Sequence, residues 1–470
     1  MNFLPQLLAL LLLAPVATGK PNFLVILVDD MGWRDVGFAG NDFIDTPHID
    51  SLARNGTVFT QAYASAPNCA PTRASLMTGQ YPPRHGIFTV VDDRHQPGSP
   101  HHRIMASESR AELATGSVTI AEVLRDGGYA TAMIGMWNLG RGRKGPCTPT
   151  GQGFDLDRQP KQLGFEKDAY HDESGRFLTD AFAEEAMAFI ERNREKPWFL
   201  YFAPHAVHAP FDPPASLLDK YRKKAGANRS LDPAHAATVE ALDTAIGRLL
   251  AKIDEAGLSD STMVVFTSDN GGTRQYVAPL RGGKGSLYEG GLRVPMAVRG
   301  PGVKAGATCA TPVLSMDIFP TLAAAAGLNP PPHHVPDGES LLPLLSGTGH
   351  LHRDNVFWHF PSYVGRNGPA SAIRQGNLKL IEHFESGTTE LFDLSQDPGE
   401  TRDLADRRKD EAKDLLERLH AWQAATGAPR PAAPNPNFDP SYDPPRGRDQ
   451  RGKGGERKNK RNSNAQPKER

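Results

Sequence analysis

The chain has 470 residues, of which 39% are hydrophobic and 23% charged, enough for one large domain or two moderate ones. Its formal net charge of −1 excludes the broad positive surface that nucleic-acid binding needs, so no nucleic-acid partner is expected. The charge is uneven: residues 444–470 hold ten Lys/Arg and three Asp/Glu, a net of +7, which leaves −8 on the rest.

Residues 7–14 are a short apolar stretch, and Ala17, Thr18 and Gly19 offer small residues for cleavage before Lys20. Residues 1–19 therefore read as a signal peptide, although no Lys or Arg precedes the apolar part. The stretch is too short to span a bilayer and no other segment is long and apolar enough, so no membrane span is expected. The protein is expected to be exported, to a periplasm or outside the cell.

Residues 22–28, Asn-Phe-Leu-Val-Ile-Leu-Val, read as a buried parallel strand ending on Asp29-Asp30. A short helix is expected at 49–54, and the segment around Cys69 leads into another through residues 74–77. Residues 118–124 read as an amphipathic helix stopped by Gly127-Gly128, and 129–134 as a strand. A long helix at 177–190 precedes the strand 198–202. A further helix at 236–256 precedes the strand 262–267, which runs into Ser268-Asp269-Asn270-Gly271-Gly272. Strands alternating with helices predict an α/β fold with a large, mostly parallel sheet flanked by helices. Ligands bind outside the C-terminal ends of such strands. Four polar clusters fall there: Asp29-Asp30, Trp137-Asn138, His205 to His208, and Asp269-Asn270.

Beyond Pro343 the pattern changes to short strand-like runs at 355–360, 372–374, 378–381 and 390–394, then a helix at about 405–426. This predicts a small C-terminal antiparallel sheet plus helix. The chain thus divides into a main domain over 20–345 and a small subdomain over 346–429. Residues 430–470 are Pro-rich and then basic, and read as a disordered tail. Of three cysteines, Cys147 and Cys309 are left to pair if Cys69 is consumed; the sequence leaves that open.

Asp29, Asp30, Asp269 and Asn270 are hard oxygen donors on two strand ends, a set that suits Ca2+, with Mg2+ as the alternative. The run from Arg281 to Gly291 is a Gly-rich loop presenting Lys284. It is not a phosphate-binding P-loop, because Ala278 holds the place of the first Gly and Gly285 follows the lysine. His205 and His208 on one loop would suggest zinc, but no third ligand stands nearby. Cys69-Ala70-Pro71-Thr72-Arg73 places a thiol near a helix start and an arginine, a positive setting that lowers a thiol pKa.

The pentad Cys69-x-Pro71-x-Arg73 resembles the signature of the sulfatase family, within the alkaline phosphatase superfamily. The Lys284 loop, the His208 segment, Asp317-Ile318-Phe319-Pro320-Thr321 and Asp397-Pro398-Gly399-Glu400 follow in that family's order, over about residues 22–440. The resemblance, closest in type to arylsulfatases and N-acetylgalactosamine-6-sulfatases, implies an alkaline-phosphatase-like fold. It also implies a formylglycine made from Cys69 by a maturation enzyme, a Ca2+ site to which residue 69 contributes, and hydrolysis of sulfate esters of small molecules or glycans. The catalytic residues it implies are Cys69, Arg73, His208 and Lys284, with Asp29, Asp30, Cys69, Asp269 and Asn270 at the metal.

One segment departs from the family. Where it has Gly-Lys-Trp-His-Leu-Gly, this chain has Gly135-Met136-Trp137-Asn138-Leu139-Gly140. Met136 brings no cation, and Asn138 cannot act as a general base near neutral pH. The leading expectation is a sulfatase whose turnover these two residues impair. The rival is a sulfatase-fold protein that binds sulfated glycans with little turnover, and a phosphatase or phosphonate hydrolase of the superfamily ranks third.

Overall fold

The computed structural model describes residues 19–91, 98–140, 145–166, 169–228, 230–273, 277–365 and 367–442. The leader expected at 1–19 falls, apart from Gly19, outside them, as does the basic stretch from 443 onward.

Five parallel strands form the centre, in the order Leu156–Arg158, Ala130–Gly135, Trp198–Ala203, Asn22–Val28 and Thr262–Ser268. Ala297–Arg299 adds antiparallel to Thr262–Ser268, and Thr57–Phe59 and Ala307–Cys309 complete eight strands. Alternate side chains of Asn22–Val28 enter opposite cores. Leu24, Ile26 and Val28 face helices Pro47–Arg54, Leu178–Arg192 and Pro233–Glu255. Phe23, Val25 and Leu27 face Cys69–Thr78, Ile120–Asp126 and Ile318–Ala325. A strand buried on both faces has no polar side, which is why the sequence reads as an unbroken apolar run. Local signals set several helix starts: Thr119 and Glu122 form a reciprocal capping box, and Asp232 accepts from the backbone N–H groups of Ala234 and His235.

The small subdomain is the expected antiparallel sheet, Asn355–Phe360, Ala370–Gln375, Leu378–His383 and Thr388–Asp393, with helix Lys409–Thr426 on its outer face. Its inner face packs on the main domain through Trp358, Phe360, Ala372, Ile381 and Phe392. Trp358 and His359 are fully buried, and the Trp358 indole donates to the Ala64 carbonyl at 2.9 Å, so this strand is core.

A dry ion cluster joins the two units. Lys379 lies 3.0 Å from Glu289 and 2.9 Å from Glu400, all three buried, and Tyr63 donates to Glu289 at 2.8 Å. Glu400 also accepts from the Glu289 backbone N–H at 2.6 Å. Burial raises the Glu400 carboxyl, to about 7, the Lys379 charge opposing this and that of Glu289 reinforcing it. Lys379→Met should therefore be strongly destabilising, because it strands two carboxylates in the interior. A loss of about 3–5 kcal/mol is expected in urea unfolding, and a loss under about 1 kcal/mol would show that water reaches the cluster.

The C-terminal boundary differs from the sequence reading. Residues 430–442 are not a free tail but lie along segment 98–107. Met105 N–H donates to the Ala433 carbonyl at 2.8 Å, Asn435 N–H to Arg103 at 2.9 Å and Asp439 N–H to Pro100 at 2.8 Å. The Asn435 side-chain amide also caps the carbonyls of Ser99 and His102. Prolines and polar residues suggested disorder, but a strap with its hydrogen bonds on one neighbour needs no apolar periodicity.

Candidate active site

Four groups of candidate side chains sit where central strands end. Asp29 and Asp30 follow Asn22–Val28, Asp269 and Asn270 follow Thr262–Ser268, His205 to His208 follow Trp198–Ala203, and Met136 to Asn138 follow Ala130–Gly135. Parallel pairing puts all four turns at one sheet edge. Gly135 is obligatory: its φ is +123°, and a Cβ would lie 1.9 Å from the Ala203 carbonyl oxygen. Cys69 opens helix Cys69–Thr78, and Lys284 arrives from the loop before Glu289.

Side-chain atoms of Asp29, Asp30, Cys69 and Asp269 all lie within 4.8 Å of one another, and all four residues are buried. The Lys284 ammonium is 2.6 Å from Asp30 and 3.1 Å from the Cys69 sulfur. Arg73, with no exposed surface, donates through Nε and Nη2 to Asp269 at 2.9 and 2.7 Å, and lies 3.2 Å from Asp29. Its remaining arm holds the Met136 carbonyl. The sequence suggested Arg73 beside an anion; its donors are instead committed to carboxylates, so it acts as their counter-ion. The His208 ring, partly exposed, stands with Nε2 3.8 Å from Asp30, while Nδ1 donates to the Ala209 carbonyl at 2.6 Å. His205 is buried with its ring stacked on that of His208, 5.1 Å between centroids, and neither belongs to the cluster able to hold a metal. Tyr170 went unseen in the sequence; its hydroxyl is 2.6 Å from the His208 carbonyl and 3.3 Å from that of His205, and no spacing marks it.

Electrostatics follow from crowding. Burial raises the Asp29 carboxyl, yet Arg73, His208 and Lys284 outweigh it and hold it at about 2. Asp269 is driven up by burial and by Asp29, against the pull of Arg73. The Cys69 thiol is also pushed well above its ordinary value, by burial and then by Asp269. That reverses the expectation of a lowered thiol pKa: three carboxylates outweigh the helix end, and Arg73 is already spent on two of them. Asp30, with φ of +64°, is held in the left-handed region where few non-glycine residues sit.

The residues fit a hard divalent cation. Three carboxylates converge, and the buried Asn270 Oδ1 has no hydrogen-bond partner, an acceptor left over at the cluster's edge.

The buried acid cluster, with its thiol and lysine, lies at the C-terminal edge of an alkaline-phosphatase-like sheet. Comparison with known proteins gives the class. The Sulfatase family model matches residues 21–328, and that of N-sulphoglucosamine sulphohydrolase, C-terminal, matches 283–425. Arylsulfatase A of Homo sapiens is 32% identical, covering 85% of this chain and 86% of that protein. Steryl-sulfatase of Mus musculus is 31% identical over 89% and 84% respectively. Among solved structures, that of Ps i-CgsB in complex with k-i-k-neocarrahexaose superposes with a TM-score of 0.72 at 27% identity, covering 87% of this chain and 98% of that one. The chain belongs to the sulfatase family and is a sulfuric ester hydrolase.

Proposed function

We propose that this chain is an exported sulfatase acting on sulfated carbohydrate, with Cys69 converted to formylglycine by a maturation enzyme and Ca2+ (or Mg2+) held by Asp29, Asp30, Asp269 and Asn270 with residue 69 beside it. The observation that carries it is the convergence of Cys69, three aspartates and Lys284 in one buried cluster. The hydrated aldehyde would supply the nucleophile, and the cation would supply positive charge for the sulfate oxygens. Lys284, 3.1 Å from the Cys69 sulfur, places a second positive charge where the sulfate has to sit. With Nδ1–H committed to Ala209, His208 exchanges protons through Nε2 and is the donor for the departing alcohol. Arg73 holds Asp29 and Asp269 in place and offsets their charge. The relative Ps i-CgsB, solved with an oligosaccharide, supports carbohydrate as the substrate class.

The reading is tested by mass analysis of the peptide containing residue 69, from protein co-produced with a formylglycine-generating enzyme, alongside aryl sulfate hydrolysis. An unmodified thiol under those conditions would sink it. Asp269→Ala should empty the metal site and abolish activity, with elemental analysis falling from about one calcium per chain to background. Stoichiometric zinc in the parent protein would contradict the assignment.

Met136 and Asn138 favour a second reading, a glycan-binding protein with little turnover. The intact Cys69 pentad speaks against it, since a binder needs no modification signal.

A further inference from the structure

Among the described residues, the exposed large hydrophobic side chains are Val335, Phe438 and Tyr442. Single exposed apolar residues need no explanation. Phe438 and Tyr442 differ in being four residues apart on the 430–442 strap, each held by a nitrogen-rich side chain of segment 98–107. The Arg103 guanidinium lies over the Phe438 ring at 5.7 Å, and His101 stacks on Tyr442 at 6.2 Å with 14° between the planes. His101 is itself wedged against His102, whose ring stacks on Tyr363 at 3.7 Å. Each ring is thus packed against segment 98–107 on one side.

A chain of contacts leads from this patch towards the Cys69 cluster. His101 Nε2 is 3.2 Å from the Gly365 carbonyl. Val364 and Asn367 then reach the lysine loop: Asn367 donates to the Lys284 carbonyl at 3.3 Å, and a Cβ on Gly285 would lie 2.6 Å from Val364. From the other side, Val90 N–H donates to Asn68, the residue before Cys69, at 3.2 Å. Of the nearby acids, Glu385 is occupied by Tyr363 and the Arg103 backbone N–H, and Asp439 accepts from the Ser441 backbone N–H and hydroxyl.

We infer that Phe438 and Tyr442, with Arg103 and His101, form an outlying subsite for a sulfated oligosaccharide, binding sugars beyond the one that carries the ester being cleaved. Aromatic faces stack on the C–H faces of pyranose rings, and the Arg103 guanidinium takes sulfate or hydroxyl oxygens. This rests on the sulfatase reading for its substrate class, but its location comes from the strap.

The test uses the full chain carrying Phe438→Ala and Tyr442→Ala, with a sulfated galactan hexasaccharide and 4-nitrophenyl sulfate as probes. KM for the hexasaccharide should rise about tenfold, while kcat/KM for 4-nitrophenyl sulfate stays within about twofold. Phe438→Tyr with Tyr442→Phe, which keeps both rings, should restore the parent KM. Equal KM values in parent and alanine variant, or a parallel fall on both substrates, would overturn the proposal. Calorimetry on the thiol form reads the subsite without turnover: the alanine variant should lose hexasaccharide affinity about tenfold, and unchanged affinity would overturn the subsite even if the enzyme proves active. A chain that never turns over yet shows this loss would retire the catalytic reading alone.

Discussion

Matured protein carrying Met136→Lys and Asn138→His together should turn over an aryl sulfate ~10²–10⁴-fold faster than the parent, the range a general base commonly contributes. The backbone is ready for both side chains. Residue 136 is pinned from two sides, its N–H on the Ala203 carbonyl at 2.7 Å and its own carbonyl on Arg73. Asn138 holds φ of +58°, a region that histidine also tolerates. Trp137 is buried with its indole on the Cys147 carbonyl, so the frame around both positions is intact. The groups that act on the arriving ester, Lys284 and the metal ligands, are present in the parent. On the proposed reading, the base that Asn138 replaces would serve the later step, regeneration of residue 69. Rapid-mix kinetics of the parent should therefore show a burst of up to about one equivalent of alcohol followed by slow release, and the double variant should be linear. Each single change should gain less than the pair, because both groups serve one step. A parent time course that is linear, at the rate of the double variant, would mean that another residue has taken the base's place.

Cys69→Ala should abolish turnover and leave the fold untouched. All ten residues of helix Cys69–Thr78 are buried, so the change is felt only at the lost sulfur. That sulfur touches Lys284 at 3.1 Å and Asp29 at 3.6 Å, and Lys284 keeps its bond to Asp30 when it goes. Alanine suits a helix start better than an apolar cavity would suggest, and the deleted volume is about one methylene-sized group, worth about 1 kcal/mol or less. The melting temperature should move by no more than about 3 °C, while aryl sulfate hydrolysis drops to background. Activity persisting in the alanine variant would remove residue 69 from the chemistry altogether.

Much of the site was legible because its residues come as short runs with a fixed place in the local pattern. Asp29-Asp30 and Asp269-Asn270 each end an apolar run, and a parallel sheet brings the ends of such runs together whatever lies between them. The same logic located His208 and the Met136 to Asn138 departure. Tyr170 was illegible because its task is to hold two loop carbonyls, and a single tyrosine before a helix carries no sign of that.

The sequence alone therefore determined the central strands, the edge on which polar residues would gather, and the family-defining order of Cys69, His208 and Lys284. These follow from apolar periodicity and short motifs, which are local. Tertiary structure alone decided what each group faces. It turned Arg73 from an expected anion contact into a counter-ion for Asp29 and Asp269. Three converging carboxylates and burial reversed the expected shift of the Cys69 thiol. Trp358 went into the core, and the 430–442 strap was laid against segment 98–107. Such outcomes depend on partners distant in the chain, and on how much water their packing removes. Neither quantity is written in the spacing of neighbouring residues.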